Sequence, residues 1–170
     1  LIPMEFGSAS ATKEFISYVE HKYFENLKSI VKKIVAESDV IKDGNEIRFS
    51  SDIDNSYRLS GIADMIASSK LNDSFIIYDF KSGSKFDKKE LPVKSLQFSI
   101  YDILMKCDER FRDKTIEKGV FVTIKDANVV TGWEYDDERA KADKAFLDET
   151  AALIKSGNWN MSEDKNECQG

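Results

Sequence analysis

The chain has 170 residues, 41% of them hydrophobic and 33% charged, with a formal net charge of −6. That length allows one domain with a real core, and the composition excludes a disordered chain. The acidic balance excludes nucleic-acid binding by bulk electrostatics, although bound cations or a local basic patch can supply a positive field.

The opening LIPMEFGSAS has no periodicity, so residues 1–11 are read as a flexible arm or a remnant outside the fold. Residues 12–37 then place Phe15, Val19, Phe24, Leu27, Val31, Ile34 and Val35 at helical spacing. Asp43-Gly44 reads as a turn. Residues 46–53 and 56–66 read as strands joined by a hairpin turn at Asp54-Asn55. A turn at 71–74 leads into a third strand, FIIYDFK, at 75–81. The pattern predicts a helix from about Lys89 to Lys106. It has Pro92 in its first turn, where proline is tolerated, and Leu96, Ile100, Ile103 and Leu104 on its apolar face. Strands follow at 119–126 and 128–135. A last helix opens on Asp136-Asp137-Glu138 and closes on Lys155 and Gly157, as helix polarity favours.

The fold class is therefore α/β (α+β): a mixed central sheet of about five strands flanked by helices, within a single domain at 12–160, with 161–170 as a tail. No apolar run approaches the roughly 20 residues that cross a bilayer, so no membrane is expected. With no signal-peptide pattern and only two cysteines, the setting is expected to be intracellular and reducing.

Three groups of polar residues fall on this scaffold in order. Gly61-Ile62-Ala63-Asp64 lies towards the end of the second strand, and Asp79-Phe80-Lys81 ends the third, 15 positions after Asp64. Residues i and i+2 of a strand share a face, so Asp79 and Lys81 sit side by side. Gln97 and Tyr101, four apart, share a face of the middle helix. Neighbouring strands lie about 4.8 Å apart, so carboxylates on two strand ends can share one hard cation. Such a cation polarises a phosphoryl oxygen and lowers the pKa of a bound water. A lysine beside it can stabilise developing charge. Phosphodiester hydrolysis needs these parts.

The set of Gly-x-x-Asp, Asp-x-Lys and Gln-x-x-x-Tyr resembles the PD-(D/E)XK nuclease superfamily, and within it the RecB-type branch, over roughly residues 15–160. The resemblance implies a restriction-endonuclease-like αβββαβ core, and Asp64 and Asp79 as ligands of Mg²⁺ or Mn²⁺ together with the backbone carbonyl of Phe80. It implies Lys81 as the catalytic lysine, and Gln97 and Tyr101 bordering the site to position nucleic acid. Ala63 stands where many members have proline before the acid, a departure common in this branch. The implied activity is a metal-dependent deoxyribonuclease working on DNA single strands or duplex ends in repair, recombination or phage replication. It leaves a 5′-phosphate, and a helicase or recombinase is the implied partner.

His21, the only histidine, precedes Asp64 by 43 positions. Relatives of this type often carry a helix histidine as a further metal ligand, and imidazole suits Mn²⁺ better than Mg²⁺; ligand and plain helix residue stay open as readings. Glu25 and Glu46 are fallback ligands, each read first as an ordinary surface charge. Five lysines against two acids between Lys81 and Lys94 suit phosphate tracking, with Lys85 the leading contact. Phe86, Tyr78 and Tyr57 could stack on bases, although packing roles are favoured. An iron–sulfur cluster needs four thiolates, and the chain has only Cys107 and Cys168, so none is expected within it. Two rivals stay open: an RNA-cleaving endonuclease of the cap-snatching type, and a nuclease-like module without catalysis.

Overall fold

The computed structural model describes the backbone of residues 9–81 and 91–157, and side chains at 21–81 and 93–157. The elements run α1 (Ala9–Glu37), β1 (Ser38–Ile53), β2 (Tyr57–Ser69), β3 (Ser74–Lys81), α2 (Leu91–Cys107), β4 (Thr115–Thr123), β5 (Asn128–Glu134) and α3 (Asp137–Ser156). Their order matches the sequence reading. Among the described residues the strands form one mixed sheet, β1-β2-β3-β4-β5, in which β3 and β4 are parallel and the other neighbours antiparallel.

β3 lies at the centre, and its first six residues are all buried. A strand covered on both faces reads as a continuous apolar run, which explains the lack of alternation in FIIY. On one face Ile77, Phe121, Ala63 and Ile66 pack with Phe98, Tyr101, Leu104 and Met105 of α2. On the other, Ile76, Tyr78, Val120 and Val122 pack with Ile30 and Ile34 of α1. Tyr78 belongs wholly to this second core, where its hydroxyl meets Ser38 at 3.0 Å.

Asp54 and Asn55 both have positive φ, 51° and 54°, as a two-residue hairpin turn between twisted strands requires. Asp43-Gly44 behaves differently. It lies inside β1, where the pairing with β2 shifts register between Val40 and Asn45. A local turn composition here makes an irregularity in a 16-residue strand, because residues 38–40 go on to pair with 67–69. β4 likewise begins at Thr115, earlier than the apolar run alone indicates, and the chain turns after Thr123.

α3 carries no buried residue. Its ends are well defined: Asp136 accepts from the Arg139 N–H at 2.8 Å, and Gly157 takes φ 69° with its N–H on the Ile154 carbonyl. Polar contacts hold it. Ser99 of α2 donates to Asp143 and accepts from Trp133 Nε1 at 3.0 Å, while Arg139 donates to Ser95 at 2.6 Å. Lys144 bridges Asp148 and Asp54 of the hairpin turn. Among the described residues no helix is long and apolar enough to cross a membrane.

Candidate active site

The antiparallel register of β2 and β3 runs from Ser68↔Phe75 to Met65↔Tyr78 and then stops. Continued by one pair, it sets Asp64 opposite Asp79. The strands end their ladder here, and the Phe80 N–H of β3 donates to Asp64 Oδ2 at 2.7 Å instead. Asp64 thus serves two ends: one oxygen satisfies an orphan backbone donor, and the carboxylate is half-buried at the mouth of the splayed strands.

Asp79 is only 5% exposed. It lies on the α2 face, between Ile77 on the same strand and Phe121, its register partner on β4. Lys81 Nζ meets Asp79 Oδ2 at 2.6 Å. The approach is an ion pair outside hydrogen-bonding geometry, so this buried oxygen has no hydrogen-bond partner. Lys81 remains partly exposed, with its ammonium 6.0 Å from the centre of the Phe121 ring.

Tyr101 covers the pair from α2. Its hydroxyl donates to the Ile62 carbonyl at 2.6 Å, fixing the helix against β2 two residues before Asp64. Its ring fits because residue 61 is glycine: a Cβ there would stand 3.0 Å from Tyr101 Cε1. Burial pushes the Tyr101 hydroxyl up to about 12, and the charges of Asp79 and Asp64 add to that rise. Both carboxylates therefore act on one phenol. Gln97, a turn earlier, is half-buried, and its Nε2 has no hydrogen-bond partner.

The structure thus brings together Asp64, Asp79, Lys81 and Tyr101, with Gln97 one turn before Tyr101 on α2. Phe80 contributes its N–H to Asp64, and its ring is exposed on the other face. His21 stands exposed on α1. Among the described residues no group of three or more His, Cys, Asp or Glu is gathered for a metal, so His21 does not join the two aspartates. Glu25 pairs with Lys28 at 2.9 Å, and Glu46 is exposed at the β1 irregularity with φ 50°. Tyr57 donates to Asp148 at 2.8 Å, in the contact between the hairpin and α3. Lys85, Phe86 and Cys168 lie outside the described residues; Cys107 is an exposed free thiol.

Thr123 was not singled out by the sequence pattern. It is 2% exposed, it is paired in register with Lys81, and its hydroxyl has no hydrogen-bond partner. The one available signal was a hydroxyl residue interrupting the apolar run 120–124.

A cleft of about 620 Å³ lies elsewhere, between the β1–β2 turn, α2 and α3. Its charges are already closed on one another. Burial raises the Asp102 carboxyl, Lys106 holds it at 2.7 Å, and Lys144 is committed to Asp54 and Asp148. The chemistry-bearing residues lie instead where the β2–β3 ladder ends, with Asp64 in mid-β2 rather than at the strand end that the sequence suggests, because β2 runs on to Ser69.

Two opposed carboxylates, one with a buried oxygen that has no hydrogen-bond partner, suit a hard divalent cation that keeps several waters. The donor set fits such an ion: oxygen only, few ligands, and a lysine beside it.

A search of curated proteins found no match to the chain. The family model of the PD-(D/E)XK nuclease superfamily matches residues 5–170, nearly the whole length. The helix, three strands, helix and strand that carry Asp64, Asp79 and Lys81 have the restriction-endonuclease-like order. On that match and that fold, the chain belongs to the PD-(D/E)XK nuclease superfamily.

Proposed function

We propose that this member is a Mg²⁺- or Mn²⁺-dependent deoxyribonuclease of the RecB type, hydrolysing phosphodiester bonds in DNA single strands or at duplex ends. One observation carries the reading: Asp64 and Asp79 flank the end of the β2–β3 ladder, act together on Tyr101, and have Lys81 on the same face. PD-(D/E)XK nucleases generally use divalent metals.

Asp64, Asp79 and the Phe80 carbonyl are the proposed ligands. When bound, a divalent cation supplies Lewis acidity at the phosphoryl oxygen and a nucleophilic water at neutral pH. The remaining parts belong to the chain. Lys81 offers a fixed positive charge to the scissile phosphate, where charge builds in the transition state. Tyr101 keeps its proton throughout the neutral range and holds the Ile62 carbonyl, so β2 cannot drift from β3. Gln97 Nε2 is a buried donor without a partner, suited to a phosphate or sugar oxygen of the bound strand. His21 is left out of this ligand set because of its exposed place on α1. Lys85 is kept as a phosphate contact on sequence grounds alone. A helicase or recombinase remains the proposed source of the strand.

The test uses single- and double-stranded DNA and matched RNA, each labelled at the 5′ or 3′ end, with Mg²⁺ or Mn²⁺. DNA cleavage leaving 5′-phosphates is expected. RNA cleaved in preference to DNA overturns the deoxyribonuclease assignment, and no cleavage of either overturns catalysis.

A further inference from the structure

Within the proposed metal site, Lys81 presents a conflict. Its ammonium sits on Asp79 Oδ2 at 2.6 Å, the buried oxygen that has no hydrogen-bond partner and belongs to a proposed ligand of the cation. Two positive charges cannot share one buried carboxylate oxygen at little cost, because like charges repel strongly where water is excluded. Lys81 must therefore leave Asp79 when a cation arrives, and a departing ammonium needs a new acceptor.

The parallel register of β3 and β4 provides one. Asp79 lies beside Phe121, and Lys81 beside Thr123. Phe121 belongs to the core on the α2 face, while Val120 and Val122 belong to the opposite core, so Thr123 shares the face of Phe121. Lys81 already leans towards β4, 6.0 Å from the centre of the Phe121 ring. Thr123 is 2% exposed, and its hydroxyl oxygen is one of three buried side-chain atoms without a hydrogen-bond partner among the described residues. The other two are Asp79 Oδ2 and Gln97 Nε2. A buried hydroxyl left unmatched costs stability, so its retention in a well-packed strand calls for a partner that arrives in another state.

We infer that Thr123 is a positioning residue: its hydroxyl accepts the Lys81 ammonium when Asp79 turns to a divalent cation. Lys81 then has two stations, Asp79 in the metal-free protein and Thr123 in the loaded one. Thr123 lowers the cost of cation entry and holds the lysine where the phosphate is to lie. This inference rests on the proposed metal site.

Calorimetric titration with Mn²⁺, with no nucleic acid present, tests it. Thr123→Val keeps the shape and removes the acceptor, and should weaken Mn²⁺ binding about tenfold, within the range of couplings seen between contacting residues. Thr123→Ser should bind within about twofold of wild type. In a Lys81→Met background, which has no ammonium to relocate, Thr123→Val should change nothing. Thermal melting of Thr123→Val should stay at or above wild type, since a valine there leaves no unmatched hydroxyl; Thr123→Ala serves as a second variant should valine not fit. Equal Mn²⁺ affinity of wild type, Thr123→Val and Thr123→Ala overturns the inference and leaves the metal site standing. So does the same weakening with and without Lys81. A wild-type protein that binds no Mn²⁺ overturns both the inference and the proposed function.

Discussion

Asp79 is 5% exposed, and the Lys81 ammonium meets its buried oxygen outside hydrogen-bonding geometry. A carboxylate in such a place gives up hydration that its surroundings only partly replace. Protein sites that spend stability in this way usually gain function from it. Asp79→Asn keeps the volume, removes the buried charge and leaves Lys81 to the Thr123 hydroxyl and to the solvent it already partly reaches. The metal-free variant should therefore melt at or above wild type, by about 2–4 °C for each 1 kcal/mol recovered. A fall of more than about 4 °C would assign Asp79 a structural task. Gly61 illustrates the same scale differently, since its missing side chain makes room for the ring whose hydroxyl anchors β2. The glycine and the tyrosine of two separate motifs are thus halves of one contact.

At the scale of elements, the site depends on α2 being held on the sheet and on α3. The core face of α2 is aromatic, with Phe98 and Phe121 ring centres 4.9 Å apart. Its outer side is polar, and Ser99 is the joint, since one buried hydroxyl serves both Trp133 of β5 and Asp143 of α3. Ser99→Ala strands both partners and should cost about 1–3 kcal/mol in urea unfolding. Ile154→Ala, on the exposed side of α3, should stay within about 0.5 kcal/mol. A Ser99→Ala loss no larger than that of Ile154→Ala would show that α3 is held by other means. The elements themselves were legible because their periods are strong: Ile30 and Ile34 are one turn apart and both buried, and the FIIY run is central. Where local composition and pairing disagree, pairing wins. Asp43-Gly44 carries turn residues, yet it lies within β1 because flanking segments on both sides find partners on β2.

At the scale of the whole molecule, the candidate site occupies the carboxyl ends of β3 and β4, the one parallel pair among the described residues, where open sheets with helical crossovers commonly bind ligands. Sequence spacing was enough to place Asp64, Asp79 and Lys81 there, because strand alternation and neighbouring strands leave those side chains little freedom. It was not enough for Thr123, whose role comes from a register between strands separated by a helix, nor for His21, which motif order alone could not carry to the site. The central claim is that these two carboxylates and this lysine form a hydrolytic metal site. Its most direct measurement is Mg²⁺- or Mn²⁺-dependent cleavage of labelled DNA by wild type and by folded Asp64→Ala, Asp79→Ala and Lys81→Ala, with His21→Ala alongside. The aspartate variants should be inactive, Lys81→Ala should lose about 10²–10³-fold, and His21→Ala should remain close to wild type. Full activity in all three site variants would contradict that claim.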